Sequence, residues 1–230
     1  MLGLFSKPET VIIKEGWESK EYLNELKKQK PNEKIQEEIK MMEKQVDLEE
    51  RIMNEFRNGK VNYVVTKDLN FALCGKMQHF DFFVYTPKLG FLIECKNWGN
   101  PLERAEENWH MMEIRSVQNA EKSGQGASVL ANFDDYFRVL LVTDDPEECD
   151  SKWTKEEEPW IRMVTPEELV KTMETMNKGS RIRKMRKSQM IENAHKTAEN
   201  FGMEPYLYRS RLKDVTAEKK SNSESAGGNA

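Results

Sequence analysis

The spacing of apolar residues changes period at Gly59, and that change limits the folds open to this chain. Over residues 32–58, Ile35, Ile39, Met42, Val46, Ile52, Met53 and Phe56 recur at roughly helical intervals, so one face of a long helix is apolar. After Gly59 the apolar residues come as short runs, at 61–65, 69–71, 80–85 and 91–95, with turn signals at Gly75, Pro87 and Gly90. This predicts a meander of three or four strands. A helix face and a meander bury their apolar sides by packing together, so the predicted class is α/β, a mixed central sheet flanked by helices.

The flanking segments extend that plan. Tyr22, Leu23 and Leu26 give residues 18–30 a short apolar stripe that Pro31 terminates, which predicts a first helix. Asn32 is placed to cap the second helix, which is either continuous or interrupted near Asp47. Together they form an N-terminal helical hairpin whose second helix runs into the core. Residues 116–137 read as a helix despite Gly124 and Gly126, and residues 139–143 as a strand stopped by Asp144, Asp145 and Pro146. A short strand over 160–164 leads to a helix with Thr165 as cap, Pro166 at its first position and Glu168 completing a capping box. The basic run from Arg181 to Lys187 is predicted to open a C-terminal helix continuing to about Asn200, and residues 219–230 to be disordered. The expected organisation is a helical extension over 1–45, a core domain over 46–178, a basic helical segment over 179–212 and a tail over 213–230.

Bulk charge does not mark a nucleic-acid binder. The formal net charge is -4 and the pI about 5.7, so any such contact has to come from a local patch. Cys74, Cys95 and Cys149 are far apart with no CxxC pair, which argues against a zinc ribbon or a disulfide framework and fits a reducing cytoplasm. The apolar opening from Met1 to Phe5 is too short for a signal segment, and no stretch approaches the ~18 apolar residues of a membrane span. A cytoplasmic protein without membrane contact is expected.

Chemistry enters where charge interrupts apolar strands. Glu94 and Lys96 are two residues apart, so both side chains leave one face of their strand, about 7 Å apart. Asp81 stands near the start of the preceding strand, and a turn between Pro87 and Gly90 brings it to the same end of the sheet. Buried charge is costly unless it is paired or liganded. Two carboxylates suit a hard divalent cation such as Mg²⁺. Such a cation polarises a phosphodiester and acidifies an attacking water, while the ammonium orients that water or stabilises charge on the phosphate. The competing interpretation is a salt bridge at a sheet edge.

The run His79-Phe-Asp81-Phe-Phe-Val, the turn with Gly90, and the run from Phe91 through Glu94, Lys96 and Asn97 to Gly99 and Asn100 resemble the signature of the nuclease-related domain (NERD) family. That family is a branch of the PD-(D/E)XK nuclease superfamily with a proposed role in DNA processing. The resemblance spans about residues 1–200 and is firmest over 46–100. It implies a restriction-endonuclease-like core and a Mg²⁺- or Mn²⁺-dependent nuclease acting on DNA. Asp81 and Glu94 would be metal-binding carboxylates and Lys96 the catalytic lysine. A third metal-binding acid, on the helix before the sheet, would be Glu50, with Met53 and Phe56 at the family's spacing and Glu49 as its rival. Gln118 takes the place of a downstream glutamine and either contacts the site or a phosphate, or is a surface helix residue. His79 departs from the family's glutamine; it either alters the site's hydrogen bonding, adds a ligand, or is a half-buried histidine.

Two other functions are open to the same residues. A catalytically inactive nuclease-fold module would bind nucleic acid or a protein partner through the basic run, whose alternative is a solvated helix face. The helical hairpin over residues 18–58 would mediate homo-oligomerisation, which its apolar stripe and heavy Glu/Lys content suit, or dock on the core, the preferred reading.

Overall fold

The structure, a computed structural model, describes residues 9–13, 17–73, 76–95, 136–144, 161–201, 212–213 and 216. Lys96, Gln118, most of the helix predicted over 116–137 and the tail predicted over 219–230 lie outside the described residues.

Helix α1 (Glu18–Lys27) ends three residues sooner than the sequence predicts. The N–H groups of Lys28 and Gln29 turn back to the carbonyls of Glu25 and Leu26, closing the helix before Pro31 restricts the backbone. Helix α2 (Glu33–Asn58) begins as expected, with the Asn32 side chain accepting from Ile35 N at 2.9 Å. It continues through Asp47 without a break.

Six strands form one mixed sheet in chain order: β1 (Thr10–Ile12), β2 (Tyr63–Leu73), β3 (Lys76–Tyr85), β4 (Gly90–Cys95), β5 (Phe137–Val142) and β6 (Ile161–Val164). The predicted meander is β2, β3 and β4, paired antiparallel. On its flanks β1 runs parallel to β2, β5 parallel to β4, and β6 parallel to β5. The runs predicted over 61–65 and 69–71 are one strand, because β3 pairs with both. Helix, antiparallel meander and a parallel return strand make the mixed, helix-flanked sheet of the expected α/β class.

Helix α3 (Pro166–Gly179) opens with the predicted capping box, Glu168 Oε2 accepting from Thr165 N at 3.3 Å. Helix α4 (Lys187–Phe201) corrects the sequence reading. It starts only at the last residue of the basic run, because Met185 N is drawn to Pro87 O (2.6 Å) and Gln189 Oε1 accepts from Arg186 N (2.9 Å), fixing the helix start there.

Side chains alternate along the strands and so feed two cores. On one face Leu48, Ile52, Met53 and Phe56 of α2 and Leu169 and Met173 of α3 cover Val65, Phe82, Val84, Phe91, Ile93 and Leu140. On the other, Met190, Ala194 and Ala198 of α4 cover Val64, Phe83, Tyr85, Leu92 and Val139. Helix α1 docks on the first part of α2 through Tyr22, Leu23 and Leu26 against Ile35, Met42 and Val46.

Candidate functional site

The site arises where strand alternation slips. In β2, Val64 and Leu69 share one core although they are an odd number of residues apart; in β3, Phe80 and Phe83 do the same. The slip falls at Asp68 and Asp81, which face each other between the pairs Lys67–Phe82 and Leu69–Phe80. Asp68 takes the left-handed conformation (φ 49°), which an Asp tolerates better than most residues. Both carboxylates are thereby freed from the regular ladder and enter a polar network beneath the α1–α2 hairpin.

One arm of the network starts at the helix terminus. Asp68 Oδ2 accepts from Glu18 N, the first residue of α1, at 3.2 Å, so its charge sits at the positive end of that helix. His79 Nε2 lies 3.4 Å from Asp68 Oδ1, and His79 Nδ1 lies 3.6 Å from Asp81 Oδ1. Asp81 Oδ2 in turn accepts from Cys95 N at 2.7 Å. The β3–β4 ladder pairs Phe82 with Ile93, and beyond that pair the Asp81 carboxylate takes the place of a backbone partner.

A second arm comes from the helical hairpin. Ser19 Oγ donates to Glu49 Oε2 at 2.5 Å, and Gln45 Nε2 donates to Glu49 Oε1 at 2.9 Å and to Cys95 O at 3.1 Å. The two arms therefore grip both sides of Cys95, its N–H by Asp81 and its C=O by Gln45. Cys95 is a buried thiol outside any disulfide, and the next residue in sequence is Lys96.

The electrostatics are those of acids crowded out of water. Glu49, Asp68, Asp81, Glu94 and His79 are each less than 5% exposed. Burial, followed by the charges of Asp81 and Asp68, pushes Glu49 up to about 8 against the lowering effect of its Ser19 and Gln45 hydrogen bonds. For His79 burial acts downward, but Asp68, Asp81 and Glu94 outweigh it and raise the imidazole to about 9. The surrounding acids thus favour the protonated form of His79. Lys67, also buried, sets its ammonium 4.0 Å from the centre of the Trp17 ring beside the start of α1.

Of the residues singled out by sequence, Asp81 and Glu94 reach this cluster. Glu50 does not: it is on the outer face of α2, 47% exposed and 2.8 Å from Lys20 Nζ. Its neighbour Glu49 points inward, on the buried line Gln45, Glu49, Met53. Sequence reasoning missed Asp68, Gln45 and Ser19. Asp68 had a visible signal, a charge interrupting an apolar strand as Asp81 does. Among the described residues, no three His, Cys, Asp or Glu side chains converge to hold a metal ion.

No protein-family model matches the chain, and no curated protein matches it. Among solved structures it is similar to protein VC1899 from Vibrio cholerae, with 16% identity over 63% of this chain and 33% of that one, and a TM-score of 0.30. The chain thus spans about a third of the length of that protein. It is also similar to the small subunit (R.BspD6I2) of the heterodimeric restriction endonuclease R.BspD6I, with 14% identity over 86% of this chain and 96% of that one, and a TM-score of 0.28. Overlaps this loose carry no functional argument, so the reading of the site rests on its own geometry.

Proposed function

We propose that this chain is a nuclease-like protein of the NERD type that hydrolyses phosphodiester bonds in DNA, with Asp81, Glu94 and Glu49 holding Mg²⁺ or Mn²⁺ and Lys96 as the catalytic lysine. The observation that carries the reading is the burial of four carboxylates, Glu49, Asp68, Asp81 and Glu94, near one another where α2 meets the sheet. The donors fit a hard divalent cation in kind: they are carboxylate oxygens, and the burial and then the neighbouring acid charges that raise Glu49 are penalties on its carboxylate that such a cation would offset. The ligand set is not assembled among the described residues, where His79 supplies the positive charge between Asp68 and Asp81. Glu49 is preferred to Glu50 because it is the acid that faces Asp81.

A cation held there would polarise the phosphodiester and make an attacking water more acidic. The chain's own groups do the positioning. Asp81 and Gln45 fix the Cys95 peptide, and with it the start of the backbone that bears Lys96. Burial and the neighbouring acids favour a proton on Glu49, which it would have to release to hold a cation. Gln118 retains the phosphate-contacting role that the family resemblance implies. Among the described residues no helix is long and apolar enough to cross a membrane.

Two measurements test the proposal together. Plasmid and linear DNA should be cut by the full chain with Mg²⁺ or Mn²⁺ and not with EDTA, and Lys96→Ala should abolish cutting while the circular-dichroism spectrum is unchanged. Titration calorimetry with Mn²⁺ should give heat with wild type and none with Asp81→Ala. Cutting that survives Lys96→Ala, or equal heats for the two proteins, overturns it.

A further inference from the structure

The basic run that fails to become helix has a different construction. Between the end of α3 and the start of α4, residues 181–186 form a strap with neither helix nor strand. Ile182 packs against the α2–α3 core and Met185 against the α4 core, so the strap carries the chain from one face of the sheet to the other. It passes the β3–β4 turn, where Met185 N donates to Pro87 O at 2.6 Å and Lys88 Nζ donates to Ser180 O at 2.7 Å. Asn193 Nδ2 reaches Met185 Sδ at 3.5 Å, and Arg186 N is held by Gln189. With its apolar residues turned inward and its backbone pinned, the strap presents Arg181, Arg183, Lys184 and Arg186 outward, all exposed. Among the described residues none of these four makes an ion pair, whereas the next residue, Lys187, is spent on Glu9 at 2.6 Å.

We infer that this strap is a docking surface for the sugar-phosphate backbone of a nucleic acid. Four unpaired cations held side by side repel one another and lose side-chain freedom when they bind, so their prior fixing of the backbone lowers the cost of meeting a polyanion. Three of the four are arginines, whose planar forks match phosphate oxygens in pairs. An acidic protein partner fits less well, because protein interfaces centre on exposed apolar or aromatic anchors and the strap turns Ile182 and Met185 inward. The strap stands at the turn end of β3, about 15–20 Å along the strand from Asp81. A nucleic-acid backbone extends well beyond that distance, so the strap's action does not depend on the acid cluster being catalytic.

The test is binding of the full chain to a fluorescein-labelled DNA duplex by anisotropy in EDTA, where cleavage plays no part. Arg181→Gln, Arg183→Gln and Arg186→Gln combined should weaken binding at every sequence and flatten the slope of log K against log salt by about 1 for each arginine removed. The residues are exposed, so the melting temperature of the triple variant should match wild type. Three results overturn the inference: no wild-type binding at low salt, an unchanged slope in the triple variant, or polyglutamate competing as well as DNA at equal charge concentration. Absence of cleavage in Mg²⁺ together with strap-dependent binding would remove the nuclease reading and leave this one standing.

Discussion

Glu49 and Glu50 are adjacent in sequence and opposite in circumstance, because consecutive helical residues point about 100° apart. Glu50 trades one solvent-exposed partner for another with Lys20, an arrangement worth at most about 1 kcal/mol. Glu49 titrates near 4.5 when unfolded and near 8 when folded, so between those values the folded chain keeps a proton that the unfolded chain has released. Stability contributed in this way is complete below about pH 4.5 and is lost as pH rises towards 8. His79 acts with the same sign between 6.5 and about 9. In metal-free protein Glu49→Gln should therefore gain stability relative to wild type as pH rises from 4.5 to 8, by the order of a few kcal/mol, while Glu50→Gln should track wild type. The Ser19 hydroxyl can reverse to accept from the new amide, so the substitution leaves no stranded donor. Thermal melts of the three proteins across that range decide the matter; parallel curves for Glu49→Gln and wild type would mean that Glu49 is not held protonated. Asp81 and Glu94 were legible in the sequence because a charge in an apolar strand stands out by its cost. Glu49 was not separable from Glu50, since choosing between them needs the rotational phase of α2, which the line Gln45, Glu49, Met53 fixes only once Gln45 is known to be buried.

Elements were legible to the extent that their determinants are local. The Asn32 and Thr165 caps and the Gly59 stop are encoded within four residues; α2 begins and ends, and α3 begins, as those signals dictate. Strand β1 was missed because three residues show no period and their partners, Tyr63 to Val65, lie some fifty positions away. The helical reading of 181–186 failed for the same reason: the group that captures Met185 N is the carbonyl of Pro87. Gly90 shows a long-range determinant that did leave a sequence mark. It opens β4 opposite Phe137 of β5, and a Cβ there would lie 2.6 Å from Phe137 Cδ1 and 3.5 Å from Phe83 Cζ. The Phe137 ring is itself packed on Phe83, 5.8 Å between centroids, and has little room to withdraw. Replacing glycine in a strand otherwise gains up to about 1 kcal/mol of chain entropy, whereas overpacking costs about 1–3. Overpacking should win, so Gly90→Ala should be less stable in urea by about 1–2 kcal/mol. A variant as stable as wild type would show that Phe137 does not sit over Gly90.

Across the described residues, α2 joins the α1 hairpin to one face of the sheet. Its first half forms the core beneath α1, its second half forms the core against the sheet, and Gln45 and Glu49 lie on the polar seam between them. Helix α1 is tied to the same seam by Glu18 N on Asp68 and Ser19 Oγ on Glu49, and to α2 by Tyr22 Oη donating to Glu38 at 3.0 Å. Loss of α1 would strip hydrogen bonds from two buried carboxylates and expose Ile35, Met42 and Val46, so the hairpin is expected to unfold together with the sheet. Leu26 measures this coupling, being fully buried between the two helices and remote from the acids. Leu26→Ala should cost about 2–5 kcal/mol. Because the seam joins hairpin to sheet, the loss should appear as a downward shift of one cooperative transition, with far-ultraviolet ellipticity and tryptophan fluorescence melting together. An early transition confined to α1, seen as fast amide exchange over residues 18–27 while the sheet stays protected, would show instead that the hairpin opens on its own. In that case the contacts of Glu18 and Ser19 would contribute little to the stability of the acid site.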